Sequence, residues 1–295
     1  MAMTEKEKQE IKLLIITCLK KKLETYEQKN VMPFHAHLLG NDRMALFSFI
    51  QSVNTTFGTA IYEPVAARLA RDNFKEVVRG KKIGNFISEG ALLAISSIKN
   101  DLKNAKNSKN AKNSKNSKNS KKALNQKEPN QKEPNQKEPN QKEPNQKEEV
   151  EKIRKVCKKG GQVEIELREA DIYLVDRNDK HYPIDIKTVK PNIDGFEKYK
   201  ENILEWTAAV LYQNPKADVS AMLALPYNPN YPEKYKHFTK RKMFEDGTQL
   251  KVGEEFWKFL AGKDVYEDLL DCFKCAGIEM RKDINKYFQK FHNNN

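Results

Sequence analysis

Three side chains in the stretch EADIYLVDRNDKHYPIDIKTVKP, residues 169–191, have the types and spacing for chemistry on a phosphate: Asp171, Asp185 and Lys187. The alternating apolar residues around them read as two short strands. On a strand, Asp185 and Lys187 project from the same face. An antiparallel neighbour would bring Asp171 beside Asp185. Adjacent carboxylates repel, and each resists ionisation. A divalent cation removes that conflict, and Mg²⁺ is a hard ion that takes one or two carboxylates and keeps water in its other positions. Lys187 cannot ligate a metal while protonated, but it can hold an attacking water or offset charge developing on a phosphate. The set fits metal-assisted phosphodiester hydrolysis. The ordinary alternative is a solvent-facing Asp185–Lys187 ion pair, worth little. Acid-x-Lys spacing recurs at Glu10–Lys12, Glu27–Lys29 and Asp101–Lys103. Of the four, Asp185–Lys187 alone has an apolar, strand-like setting and a strand-borne Asp fourteen residues earlier.

The elements that must position these residues follow from periodicity. Residues 5–29 carry apolar side chains at helical spacing. GNDRMALFSFIQSVNTTFG reads as a second helix and TAIYEPVAARLARDNF as a third, with Pro64 tolerated in its first turn. SEGALLAISSIKNDLK is a fourth, so the first hundred residues read as mostly helical. After residue 147, EEVEKIRKVCKK is a short helix, while QVEIEL, ADIYLVD and HYPIDIKTVK are strands. GFEKYKENILEWTAAVLYQ is a helix, VSAMLALPY a strand apolar enough for burial on both faces, and the tail is helical again. This order predicts an α/β fold with one central mixed β-sheet flanked by helices, a helical N-terminal part and a helical C-terminal tail.

Between these halves the composition breaks. Residues 104–121 are six Asn-Ala/Ser-Lys triplets, and 125–144 are four copies of Asn-Gln-Lys-Glu-Pro. Neither repeat could form a core, and Pro at every fifth position stops a continuous helix. The expected organisation is therefore 1–103 as the helical N-terminal part, 104–147 as a disordered insert, and 148–295 as the catalytic α/β core with C-terminal helices. The insert reads as a tolerated surface expansion more readily than as a basic tether, and so long a loop adds little closure entropy. From Asp101 to Glu149 there are thirteen Lys against one Asp and six Glu, so +6 of the formal +13 lies there. The remaining +7 still favours a polyanionic partner. The N-terminus is charged from the start, without a signal-peptide core or a membrane span. A soluble, cytoplasmic protein is expected. Cys272 and Cys275 form a CxxC without the second ligand pair that structural zinc needs, and read as packing cysteines. His35 and His37 lack a nearby third ligand.

A second region bears on nucleic acid. PYNPNYPEKYKHFTKRKMF contains Lys234, Lys236, Lys240, Arg241 and Lys242, interleaved with Tyr235, His237 and Phe238. Basic side chains grip phosphates, and Arg or Lys can read guanine edges in the major groove. The segment suits a specificity loop, though charge runs are also commonly just solvated faces. Lys190, beside the active strand, is a further candidate for backbone contact.

Asp171 followed by PIDIK at 183–187 resembles the PD-(D/E)xK nuclease signature. The stretches PFHAHLLGNDRMALFSFIQSVNTTFGTAIYEPVA, DIKTVKPNIDGFEKYKENILEWTAAVL and GEEFWKFLAGKDVYEDLLDCF make the chain similar to TdeIII-like type II restriction endonucleases. The resemblance covers nearly everything outside 101–149. It implies a Mg²⁺-dependent enzyme cutting both strands of double-stranded DNA at a short palindrome, of GGNCC type. It assigns Asp171 and Asp185 as metal-binding acids, the Ile186 carbonyl as a further ligand, and Lys187 as the catalytic lysine. Relatives often add a glutamate from a preceding helix. Glu63 is placed for that role, with Ala67 and Ala70 on its face allowing close approach to a sheet. Otherwise Glu63 is an ordinary first-turn acid favoured by the helix dipole. A palindrome implies a homodimer, and an unprotected genome implies a cognate DNA methyltransferase. The alternatives are a repair or recombination nuclease of the same superfamily and a catalytically inactive DNA-binding relative. The insert separates the helical half from the catalytic half, which puts the docking of Glu63 in question.

Overall fold

The computed structural model describes residues 3–27, 32–119, 143–187, 193–235 and 243–290. The chain opens with α1 (Glu5–Thr25), started by a capping box in which Thr4 and Glu7 satisfy each other's backbone N–H groups. α2 (Pro33–Leu39) and α3 (Asn41–Phe57) form a hairpin turned at Gly40, whose φ of 92° suits glycine. α3 runs into a π-helical turn (Gly58–Tyr62) and then α4 (Glu63–Ala70). β1 (Glu76–Ile83), β2 (Phe86–Ser88) and α5 (Glu89–Asn119) follow. After the repeats come α6 (Gln146–Arg154), β3 (Gln162–Glu164), β4 (Arg168–Val175), β5 (His181–Ile186), α7 (Ile193–Gln213), β6 (Met222–Leu225) and β7 (Leu250–Val252). α8 (Glu254–Ala261), α9 (Tyr266–Glu279) and α10 (Arg281–Gln289) complete the described chain.

The central sheet has the order β1-β4-β5-β6-β7. β1, β4 and β5 are antiparallel neighbours, whereas β6 joins β5 and β7 joins β6 in parallel. The expected mixed α/β sheet is thus borne out. Strand alternation sends Ile172, Leu174, Ile184, Ile186, Met222 and Ala224 into a core shared with α1, α4, α8 and α9. Tyr173, Val175, Leu223 and Leu225 enter the opposite core, built by α5, α6 and α7. β6 is buried on both faces, as its apolar run predicts.

Four features depart from the expectations. The N-terminal hundred residues contribute two strands as well as helices, and β1 forms the edge of the central sheet. Gly80 and the run of charges hid β1 in the sequence. QVEIEL supplies only the three residues of β3, which pair with β2 in a separate two-stranded sheet. β7 was not foreseen, because three residues leave no periodicity to read. The insert expected from 104 begins inside α5, whose helical backbone continues to Asn119; the triplets contain no Pro or Gly to stop it. Residues 120–142 lie outside the described chain.

Ile98 and Leu102 of α5 and Val150 and Ile153 of α6 share one core, so the chain leaves and re-enters between two helices packed together. The re-entry is fastened by a buried cation. Lys200 Nζ, fully buried on α7, lies 2.7 and 2.8 Å from the Glu149 oxygens of α6 and 2.7 Å from Gln249 Oε1. Gln249 Nε2 donates back to Glu149 at 2.6 Å. Burial pulls the Lys200 ammonium below its usual range, and Glu149 opposes that shift. Removing one member strands the other without water. Lys200→Met is therefore expected to cost about 3–5 kcal/mol in urea unfolding, with part recovered in Lys200→Met/Glu149→Leu. A loss below about 1 kcal/mol, the worth of a surface pair, would contradict this account.

Candidate active site

β4 and β5 carry the acids to one end of the sheet. Their pairing sets Ile172 opposite Ile184, and one further step of the same register sets Asp171 across from Asp185. There the ladder gives way to a side chain: the Ile186 N–H donates to Asp171 Oδ2 at 2.6 Å. Lys187 N–H donates to Ala224 O of β6 at 2.9 Å, which holds the end of β5 against the parallel half of the sheet. The Lys187 ammonium lies between the two acids, 2.5 Å from Asp185 Oδ1 and 3.5 Å from Asp171 Oδ2. The surface ion pair considered from sequence is excluded by burial, because Asp185 is only 3% exposed.

Glu63 reaches the same place from the opposite helical layer. It opens α4 and is almost fully buried. A π-helical turn precedes it, and Pro64 sits in the first helical turn, where its missing N–H costs nothing. Arg79 of β1 braces this corner. Its Nη2 lies 3.5 Å from Glu63 Oε2 and donates to Thr59 O at 3.1 Å. Glu63, Asp171, Ile186 and Lys187 all line one cleft of about 740 Å³. Asn54, Thr55 and Thr59 form part of one wall, and Tyr227 and Pro229 part of the other.

The electrostatics follow from burial. Burial pushes the Glu63 carboxyl up to about 7, and the Asp171 charge adds to the shift. Asp185 is also raised, first by burial and then by Asp171, with Lys187 opposing. Burial alone would lower the Lys187 ammonium, but Asp185 and Asp171 together hold it above its usual range. Tyr199 of α7 lies near this group, with Lys187 Nζ 5.8 Å from its ring centre, and burial raises its hydroxyl.

A divalent cation can be tested against these residues. Among the described residues, no three His, Cys, Asp or Glu side chains form a ready-made metal cluster. Mg²⁺ does not require one, since it binds through one or two carboxylates and retains water. Asp185 Oδ2 is buried without any hydrogen-bond partner. Such an orphaned oxygen costs free energy unless a cation or proton meets it. The donor set of two carboxylates and a strand-end carbonyl is all oxygen, which fits a hard cation.

The DNA-contact candidates are placed less completely. Lys234 is exposed in the segment after β6. Lys190, Lys236, Lys240, Arg241 and Lys242 lie outside the described residues. The flanks of the basic segment, Tyr235 and Met243, are buried. Sequence reasoning missed Arg79, because β1 was not recognised, and Tyr199, because it reads as one residue of an amphipathic helix. It also missed the polar wall at Asn54–Thr59, where only the end of a helical period marked a change.

The family model described as "Type II restriction endonuclease, HinfI" matches residues 3–136 and 109–277, most of the chain. The protein belongs to this family of type II restriction endonucleases. The restriction endonuclease expected from the sequence is thereby borne out, and the PD-(D/E)xK signature is consistent with it. Type II restriction enzyme HgiCII of Herpetosiphon aurantiacus is 20% identical, across 87% of this chain and 81% of its own length. Type II restriction enzyme MjaII of Methanocaldococcus jannaschii is 23% identical, across 87% of this chain and 66% of its own length. HgiEI, also from Herpetosiphon aurantiacus, is 20% identical with the same coverage as HgiCII. No solved structure matches the chain. As a type II restriction endonuclease it is a hydrolase that acts on DNA, and no described helix is long and apolar enough to cross a membrane.

The raised Glu63 carboxyl makes stability depend on pH. The folded endonuclease holds that proton to about 7, while the unfolded chain releases it near 4.5, so wild-type stability falls as pH rises through this window. Glu63→Gln removes the loss. In urea unfolding with EDTA present, the variant should gain about 1–3 kcal/mol on wild type between about pH 5 and about pH 8. An offset equal at both pH values would mean that Glu63 is already ionised throughout.

Proposed function

We propose that this endonuclease is a Mg²⁺-dependent enzyme that hydrolyses both strands of double-stranded DNA at a short palindrome, with Asp171, Asp185, Lys187 and Glu63 as its working side chains. The observation that carries the reading is the convergence of Asp171, Asp185 and Lys187 at one strand end, with Asp185 Oδ2 left unpartnered. Asp171, Asp185 and the Ile186 carbonyl would hold Mg²⁺. When bound, the ion supplies a more acidic water and neutralises charge on the phosphate. Asp171 is oriented for this by the Ile186 N–H, and Asp185 by its burial in the sheet.

Lys187 is the chain's own source of positive charge at the reacting phosphate. Lys187 lines the cleft with Asp171, and its Nζ contacts both acids; from there it can hold a water in line with the phosphorus or meet the developing negative charge. Glu63 has a pH range suited to accepting and returning a proton near neutrality. Arg79 positions that carboxylate through its bond to Thr59 O. Lys190, Lys234, Lys236, Lys240, Arg241 and Lys242 are proposed to contact DNA beyond the cleft, gripping phosphates and reading guanine edges. The recognition site is proposed to be of GGNCC type. A palindromic site calls for a homodimer, one subunit per strand, and a cytoplasmic nuclease of this kind requires a separate cognate methyltransferase.

The test is to incubate the purified protein with a long unmethylated DNA, with Mg²⁺ or with EDTA, and to sequence the fragment ends. Discrete Mg²⁺-dependent ends at one palindrome are expected. Random ends would instead indicate a nuclease directed by DNA structure. Asp185→Ala and Lys187→Ala should each slow single-turnover cleavage by on the order of 1,000-fold or more while DNA binding persists. Normal cleavage by Lys187→Ala would reject its assignment.

A further inference from the structure

We infer that the exposed apolar face of the α2–α3 hairpin is the contact between two copies of this chain. The inference rests on the reading above, in which both strands of one duplex are cut, and names the surface that reading requires. α2 has no buried residue, yet Phe34 is 86% and Leu38 81% exposed. α3 buries Met44, Ala45 and Phe49 against the body of the molecule and leaves Leu46, Phe47 and Ile50 nearly half exposed. Leu46, Ile50 and Asn54 repeat every four residues, so they form one stripe along α3. That stripe runs from the apolar patch to the cleft, which Asn54 and Thr55 line.

Size and chemistry select the occupant. At roughly 200 Å² for a large side chain, the exposed parts of Phe34, Leu38, Leu39, Leu46, Phe47 and Ile50 sum to on the order of 700 Å² per copy. Stable interfaces bury about 800 Å² per partner, and monomers rarely expose so large an apolar patch. The repeats are poorly suited to cover it, because residues 120–142 carry only Ala123, Leu124 and three isolated prolines as apolar side chains. These Leu, Ile and Phe side chains of the patch make no contact with phosphate, so it suits a protein surface better than the DNA backbone. A second copy presents the same patch, and a two-fold contact is self-complementary by construction. Because the stripe leads to the cleft rim, docking here brings two clefts to one duplex.

The experiment is sedimentation velocity on the full chain across a dilution series, without DNA. Wild type should be a dimer, and Leu38→Asp and Phe47→Asp should each raise its dissociation constant by about 30-fold or more. Both side chains are exposed, so circular dichroism should stay unchanged and the thermal midpoint should match that of wild type diluted below its dissociation constant; Leu38 lies on a helix that buries nothing and guards against a folding artefact at Phe47. On a supercoiled plasmid bearing the site, the variants should release nicked circles where wild type gives linear DNA. A monomeric wild type, or variants that remain dimers, would overturn the inference. Dimers disrupted by both substitutions in a protein that cleaves no DNA would refute the proposed function and leave the interface standing.

Discussion

Two carboxylates facing each other at the end of adjacent strands are tolerated only where positive charge reaches both. Here Asp171 and Asp185 are brought opposite by the β4–β5 register, and the Lys187 ammonium bridges them. The arrangement constrains much of what surrounds it. The β4–β5 ladder ends at Ile184, so that the Ile186 N–H turns to the Asp171 carboxylate instead of a β4 carbonyl. β6 must be parallel, so that its Ala224 carbonyl receives the Lys187 N–H and stops the strand from fraying. α4 must approach the sheet closely enough for Glu63 to enter the same low-dielectric corner, and buried Val65, Ala66, Leu69 and Ala70 supply that packing. Each requirement is met by short-range geometry, yet together they draw on elements from both sides of the repeats.

The repeats interrupt the sequence without interrupting the architecture. β1 precedes them and pairs along its length with β4, which follows them. Gly84, with a φ of 45°, allows this half to approach α7 so closely that an added Cβ would stand 2.6 Å from the Ala209 Cβ. The Lys200–Glu149–Gln249 cluster then ties α6 to α7 and β7. A buried ion pair of this kind adds little net stability over apolar packing, but it penalises any register in which one partner is missing. It therefore acts on where the chain re-enters. Glu63 consequently keeps its place relative to Asp171, which answers the concern that the insert displaces it.

Much of the catalytic half was legible in the sequence because its signals are short-range. Strand alternation around Asp171 and Asp185, the apolar run of β6 and the amphipathic pattern of α7 each fit within one element. What escaped depends on partners distant in sequence. β1 reads as a charged, glycine-broken segment and becomes a strand because β4 offers it an edge. Glu63 follows from the resemblance and from Ala67 and Ala70 on its helix face; its burial and the nearby Asp171 charge, which arise from tertiary structure, were not legible. Arg79 was invisible for the same reason as β1. The π-helical turn before Glu63 likewise has no periodicity of its own.

The charge relations at the strand end bear on how the proposed chemistry begins. Among the described residues, Lys187 is the cation in contact with Asp185 and Asp171, and an ammonium committed to two carboxylates has little to offer a phosphate. Asp185 Oδ2 stays unpartnered even so, because one ammonium cannot satisfy four carboxylate oxygens around it. The site is therefore short of positive charge rather than balanced. On the proposed function, Asp171 and Asp185 would hold a divalent cation there, and Lys187 would then be free to face the substrate. The raised Glu63 carboxyl reports the same shortage from the far wall of the cleft, since the uncompensated Asp171 charge contributes to its shift. Glu63 and Asp185 are both raised by burial and by the Asp171 charge, and positive charge entering the cleft should lower both together.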